Sequence, residues 1–193
     1  MLLAQVHLHL PPWIHDEVDA TRLYVDDAAR MALAVDLSRR NVLHGSGGPF
    51  GAAVFNGSGR LLGVGVNRVL PTNCSIAHAE MMAVSTTQLR TQRHRLNDPD
   101  GQREALGEGG DGWTLATSAQ PCAMCYGAMF WAGIDTLLIG ARADDVQRLA
   151  GFDEGPLPAD WSGELEKRGI SVKRDLMRDH ARDVLREYGE SGI

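Results

Sequence analysis

Positive charge is in deficit in this chain. Its 19 lysines and arginines stand against 25 aspartates and glutamates, giving a formal net charge of -6 and an isoelectric point near 5.6. No general positive field is present to gather the phosphates of a nucleic acid backbone. The densest basic stretch, Arg90, Arg93, His94 and Arg95, is followed by Asp98, Asp100 and Glu104 and reads as a solvated surface. Cysteine is scarce as well. Three residues, two of them three positions apart, suit metal or redox chemistry better than a disulfide framework. No apolar run approaches the roughly 20 residues of a membrane helix. Met1 to Pro12 shows neither a charged leader nor a small-residue cleavage site. The expectation is a cytoplasmic protein with no membrane and no nucleic acid partner. Internal repeats and biased tracts are missing too, and 193 residues with 44% hydrophobic content suffice for one self-supporting domain over 1–193.

What is present is an alternation of strand and helix signals. Leu23, Ala28, Met31, Ala34, Val35 and Leu37 recur at helical spacing and predict a first helix over Ala20 to Arg40. A glycine-rich turn, Gly45 to Gly51, feeds a strand over Ala52 to Phe55. Asn56-Gly57-Ser58-Gly59 then turns the chain into a second strand, Leu61 to Val69. The Gly45 to Gly51 turn lacks the lysine and spacing of a phosphate loop. Pro71 to Ser75 reads as a loop, and His78 opens a helix carrying Met81, Met82, Val84 and Leu89. Asn97 to Gly112, with Pro99 and five glycines, reads as an exposed connection. Beyond it come a strand over Trp113 to Ser118, a helix opened by Pro121 and reaching Trp131, and a strand over Thr136 to Ala141. Strand, helix, strand implies a parallel crossover. A short helix over Asp144 to Ala150, a proline-bearing loop over Gly151 to Gly163, a weak strand over Ile170 to Leu176 and a last helix from Arg178 to Tyr188 complete a sheet covered on both faces.

The chemistry concentrates in His78-Ala79-Glu80 and Pro121-Cys122-Ala123-Met124-Cys125, each at the start of an expected helix. Two cysteines separated by two residues turn both sulfurs toward one ion, and an imidazole from a neighbouring helix adds a third ligand. His78, Cys122 and Cys125 are therefore the expected zinc ligands. The fourth tetrahedral position stays open unless Cys74, in the preceding loop, closes it. An open position holds water, and zinc lowers the pKa of that water from 15.7 to about 7. Glu80 lies in the first turn of the same helix as His78, where a carboxylate can move protons between that water and a leaving amine. His-x-Glu followed by Pro-Cys-x-x-Cys is the signature of the zinc-dependent deaminases.

On these motifs the chain resembles the cytidine deaminase superfamily, and within it the bacterial guanine deaminase branch. The likeness runs from about Arg30 to about Tyr188. It extends to Gly48-Pro49-Phe50-Gly51-Ala52, Asn67, Trp131 and Gly151-Phe152-Asp153-Glu154-Gly155. The resemblance implies a three-layer α/β/α sandwich around a five-stranded mixed sheet, and a homodimer whose carboxy-terminal segment can exchange onto the partner. It implies deamination of guanine to xanthine and ammonia, within purine catabolism. Glu80 would transfer protons and Glu154 would assist. Asn67 and the Ala79 backbone would bind the base, with Phe50, His78 and Trp131 around its ring. Guanosine, cytosine, cytidine, adenine or an aminotriazine such as ammeline remain alternative substrates for the same chemistry. A noncatalytic zinc-stabilised binding domain and a tRNA deaminase remain alternatives of other kinds.

Several of these residues carry an ordinary reading beside the functional one. Asn67 suits a strand end, Phe50 and Trp131 suit packing against the sheet, and Glu154 suits a solvated loop. Tyr188 is the candidate for closing the pocket, and packing within the last helix is its plainer role.

Overall fold

The computed structural model describes residues 5–98 and 112–191. Its sheet has five strands in the order β2-β1-β3-β4-β5. These are β1 (Gly51–Phe55), β2 (Leu61–Val66), β3 (Thr114–Ala119), β4 (Thr136–Ala141) and β5 (Ser171–Lys173). β1 runs antiparallel to both of its neighbours, while β3, β4 and β5 are mutually parallel, so the sheet is mixed. β4 occupies the expected span, and the crossover between β3 and β4 is parallel, as strand-helix-strand order requires.

The central strands read as continuous apolar runs because both faces are covered. Ala53 and Phe55 of β1 join one core cluster; Ala52 and Val54 join the other. The first cluster packs under α1 (Trp13–Glu17), α2 (Asp27–Leu43), α6 (Ala143–Ala150) and α8 (Arg178–Ser191). The second packs under α4 (Ala79–Thr91), α5 (Ala123–Ala132) and α7 (Trp161–Glu166).

Local chemistry moves several boundaries from the expected ones. The first long helix starts at Asp27 rather than Ala20, because the Asp26 carboxylate accepts from the Ala29 amide at 2.7 Å and caps it. The residues before it are extended: Leu23 bridges Arg60, and the Tyr24 amide donates to the Gly59 carbonyl. β2 ends at Val66, and Val69–Thr72 forms a helical turn, α3, where strand and loop were expected. α7 begins inside the expected proline-bearing loop, capped by the Asp160 carboxylate on the Gly163 amide. Most of the expected connection over Asn97 to Gly112 lies outside the described residues. No helix among the described residues is long and apolar enough to cross a membrane.

What positions α4 is the absence of side chains beneath it. A Cβ on Gly65 of β2 would fall 2.0 Å from the Ala79 carbonyl oxygen and 2.4 Å from the Ala83 nitrogen. The first turn of α4 therefore rests directly on the strand backbone. Replacing Gly65 by alanine should cost about 1–3 kcal/mol of stability through overpacking, read as a lowered urea midpoint at unchanged slope. A midpoint equal to wild type would show that α4 does not lie this close to β2.

Candidate active site

The N-termini of α4 and α5 meet at one end of the sheet. His78 is the N-cap of α4 and Cys122 the N-cap of α5, with Cys125 one turn further on. The ligand atoms of His78, Cys122 and Cys125 all lie within 4.8 Å of one another. The Cys122 Sγ lies 3.4 Å from His78 Nδ1 and accepts from the Cys125 amide at 3.5 Å. Cys125 is fully buried and Cys122 nearly so. Contact with the Cys125 thiol, aided by His78, holds Cys122 down at about 4. The same contact and burial push the Cys125 thiol well above its ordinary value, and its Sγ donates to Glu80 Oε2 at 3.4 Å. One thiolate thus suppresses ionisation of the other. A divalent cation removes that conflict, and two sulfurs with one imidazole are the donors zinc takes. The donor set fits zinc, and Cys74 is not part of the group.

Glu80 is 8% exposed. Thr117 of β3 donates its hydroxyl to Glu80 Oε1 at 3.1 Å. Burial raises the Glu80 carboxyl above the usual carboxylate range, so it holds a proton more readily than a surface acid. Above this floor lies a cavity of about 270 Å³, at the small end of ligand pockets. Phe50, Asn67, His78, Ala79, Glu80 and Glu154 all line it. The matching family region, described as the cytidine and deoxycytidylate deaminase zinc-binding region, spans residues 25–141.

The chain belongs to this deaminase family.

Its relatives narrow the branch. Guanine deaminase of Bacillus subtilis is 30% identical over 76% of this chain and 84% of its own length. The structure of guanine deaminase from Nitrosomonas europaea covers 98% of this chain and 99% of its own, at 41% identity and a TM-score of 0.86. A structure of the protein NE0047 with 2,6-diaminopurine matches at 44% identity over 95% of this chain and 92% of its own, also with a TM-score of 0.86. The deaminase is thus of the guanine deaminase-like branch, and zinc is its cofactor.

One expected site residue stays apart. Trp131 is 76% exposed and lines a different hollow, with Arg95, Phe130 and Arg168, rather than the cavity over the zinc ligands. The reason is helical geometry: nine residues of α5 separate it from Cys122, about 13 Å along the axis. Tyr188 does reach the cavity from α8, beside Phe152, whose ring centroid lies 5.9 Å from its own. Phe152 meets Phe50 edge-on at 5.4 Å, so the three rings form one aromatic wall. α8 packs on the core of its own chain, and its Tyr188 lines this chain's cavity.

Sequence reading missed Gln120, Leu70 and Phe152 in the lining and Thr117 beneath Glu80. For Phe152 and Thr117 a signal exists. The first stands two positions before the acid singled out at Glu154, and the second is one of three buried hydroxyls in β3.

Glu154 is held by its main chain, whose carbonyl accepts from the Ala123 amide at 2.9 Å and ties the loop after α6 to the start of α5. Burial, with the Glu80 and Cys122 charges adding, lifts its carboxyl from 4.5 to about 8. In the metal-free protein the unfolded chain therefore releases this proton at lower pH than the folded chain does. Stability falls as pH rises from about 4.5 to about 8. Glu154→Gln removes that penalty. Urea melts of the metal-free proteins should show the variant gaining on wild type by about 1 kcal/mol or more between pH 5 and pH 8, well under the full value for a partly exposed group. A gain equal at both pH values would contradict the raised carboxyl.

Proposed function

We propose that this deaminase converts guanine and water to xanthine and ammonia, acting on the free base. The observation that carries the reading is that His78, grouped with Cys122 and Cys125 as metal donors, lines one small aromatic-walled cavity together with Glu80, Glu154 and Asn67. The guanine deaminases among its relatives, and the diaminopurine bound by NE0047, support a purine there.

The reaction forms a C2–O bond and breaks the C2–N bond of the exocyclic amine. Of the two protons of water, one ends on ring nitrogen N3 and the other on the departing ammonia. His78, Cys122 and Cys125 would hold the zinc, which when bound would make a water acidic enough to act as nucleophile at neutral pH. Glu80 takes up a proton and passes it toward the ring. Its raised affinity for protons and the Thr117 hydroxyl on Oε1 fit it to carry a proton through the reaction. Glu154, whose carboxyl burial pushes upward in the metal-free protein, lines the same cavity and would donate to the leaving amine. Asn67 Oδ1 accepts from the Val69 amide at 3.3 Å, which leaves the carboxamide NH2 to donate to an acceptor on the purine edge. Phe50, Phe152 and Tyr188 give the flat base apolar surface to lie against.

The same proposal includes a single domain, a cytoplasmic setting within purine breakdown and a homodimer. The supports are the free state of all three cysteines and the exposed indole of Trp131, which a second copy would cover. Sedimentation that finds only monomer at micromolar concentration would remove the dimer from this account. The acidic chain favours a free base over tRNA.

Ammonia release from zinc-loaded protein, measured across guanine, guanosine, adenine, cytosine, cytidine and ammeline, should be fastest with guanine. Glu80→Ala should lower that rate at least about a hundredfold while retaining zinc. Turnover of a different member alone keeps the mechanism and replaces the substrate. Silence on every base from folded, zinc-replete protein favours a noncatalytic binding domain.

A further inference from the structure

We propose that Asn41 is a positioning residue for substrate recognition: its one carboxamide holds the Asn67 turn and the glycine-rich Gly48 turn at a fixed separation beside the cavity. The proposal rests on the reading that Asn67 meets the base.

Asn41 lies in the last turns of α2 and is 0% exposed. Both of its side-chain donors are used. Nδ2 donates to the Gly48 carbonyl at 2.8 Å and to the Asn67 carbonyl at 2.9 Å. Gly48 and Asn67 both line the cavity, yet they belong to segments on either side of the β1–β2 hairpin. The Oδ1 side is fixed as well, accepting from the Ser46 hydroxyl at 2.7 Å. Ser46 is itself anchored: Trp13 Nε1 donates to its hydroxyl at 3.0 Å, and the Arg68 guanidinium donates to its carbonyl. Orientation of the amide is thereby set from both ends.

Packing leaves no slack for another arrangement. A Cβ on Gly47 would fall 1.9 Å from the Asn67 carbonyl oxygen and 2.8 Å from Asn41 Nδ2. The Asn67 amide also donates to the Phe50 carbonyl at 3.1 Å, so the same clamp reaches the first aromatic wall. No other side chain of this length offers two donors and an acceptor in one plane. Leucine fills the volume and satisfies none of the three groups. Aspartate keeps the shape, loses both donors and faces two carbonyl oxygens. Freed of the clamp, the Asn67 turn shifts relative to the Gly48 turn. A small misplacement of a recognition group is costly because alignment of the bound base is what it provides.

A double-mutant cycle separates positioning from ordinary packing. Zinc-loaded wild type, Asn41→Leu, Ser46→Ala, Asn67→Ala and the two doubles with Asn67→Ala are compared by kcat and KM for guanine, by calorimetric affinity for 8-azaguanine and by Tm. Asn41→Leu should lower kcat/KM and 8-azaguanine affinity about tenfold or more, mainly through KM, because three buried polar groups lose their partner. Ser46→Ala should produce a smaller loss of the same kind. It carries the cycle alone if Asn41→Leu does not fold. In the Asn67→Ala background, each substitution should change 8-azaguanine affinity and kcat/KM less than about twofold. Equal fold losses in both backgrounds, tracking Tm, would overturn the positioning role, and so would wild-type KM and affinity in both single variants. A wild type that neither turns over guanine nor binds 8-azaguanine would overturn the functional reading, and this inference with it. An additive cycle on an active enzyme overturns this inference alone.

Discussion

Two helices begin at the same end of the sheet, and the contact between their first turns decides what the molecule can do. His78 at the start of α4 and Cys122 at the start of α5 arrive on different strands' connections, separated by 44 positions in sequence. Their donor atoms nevertheless come within 4.8 Å of Cys125 and of each other. That convergence depends on backbone contact: α4 sits on β2 where Gly63 and Gly65 leave no Cβ between them. It depends equally on the parallel pairing of β3 and β4, which returns the chain so that α5 lies beside α4. The interior of the sheet exists, in functional terms, to fix the directions of three ligand side chains.

Burial then divides the acids of the site from those of the surface. Some carboxylates paired with arginines or lysines are pulled below their ordinary values, as Glu17 is by Arg40 and Asp175 by Arg142. Glu80 and Glu154 have no such cation and are pushed the other way, largely by desolvation. Two carboxyls inclined to hold protons, lining one small cavity, suit a reaction that must deliver protons to a ring and to an amine. The two thiols grouped with His78 require a cation to ionise together.

The parts legible in the sequence were those with a strong local signal. His78, Glu80, Cys122 and Cys125 stand in tight motifs at helix starts, and β1, β4 and α4 follow from apolar periodicity bounded by turn residues. The short helices α1, α3 and α7 were not legible, because five, four and six residues carry too little periodicity to register. Residues joined only in three dimensions were harder still. Nothing local links Phe152 to Tyr188, or Asn41 to Asn67; the packing of α8 on α6, and of α2 beside the hairpin, makes those contacts. Trp131 was expected at the site from the family resemblance; within this chain it is exposed near the end of α5 and lines a different hollow.

The central claim is a zinc centre with three protein ligands and one position left for solvent. X-ray absorption at the zinc K-edge of the purified protein addresses it directly. Two sulfur scatterers near about 2.3 Å, one imidazole nitrogen at about 2.0–2.1 Å and one further light atom are predicted. A third sulfur, or four ligands all contributed by the protein, would mean a closed structural site and would contradict the account.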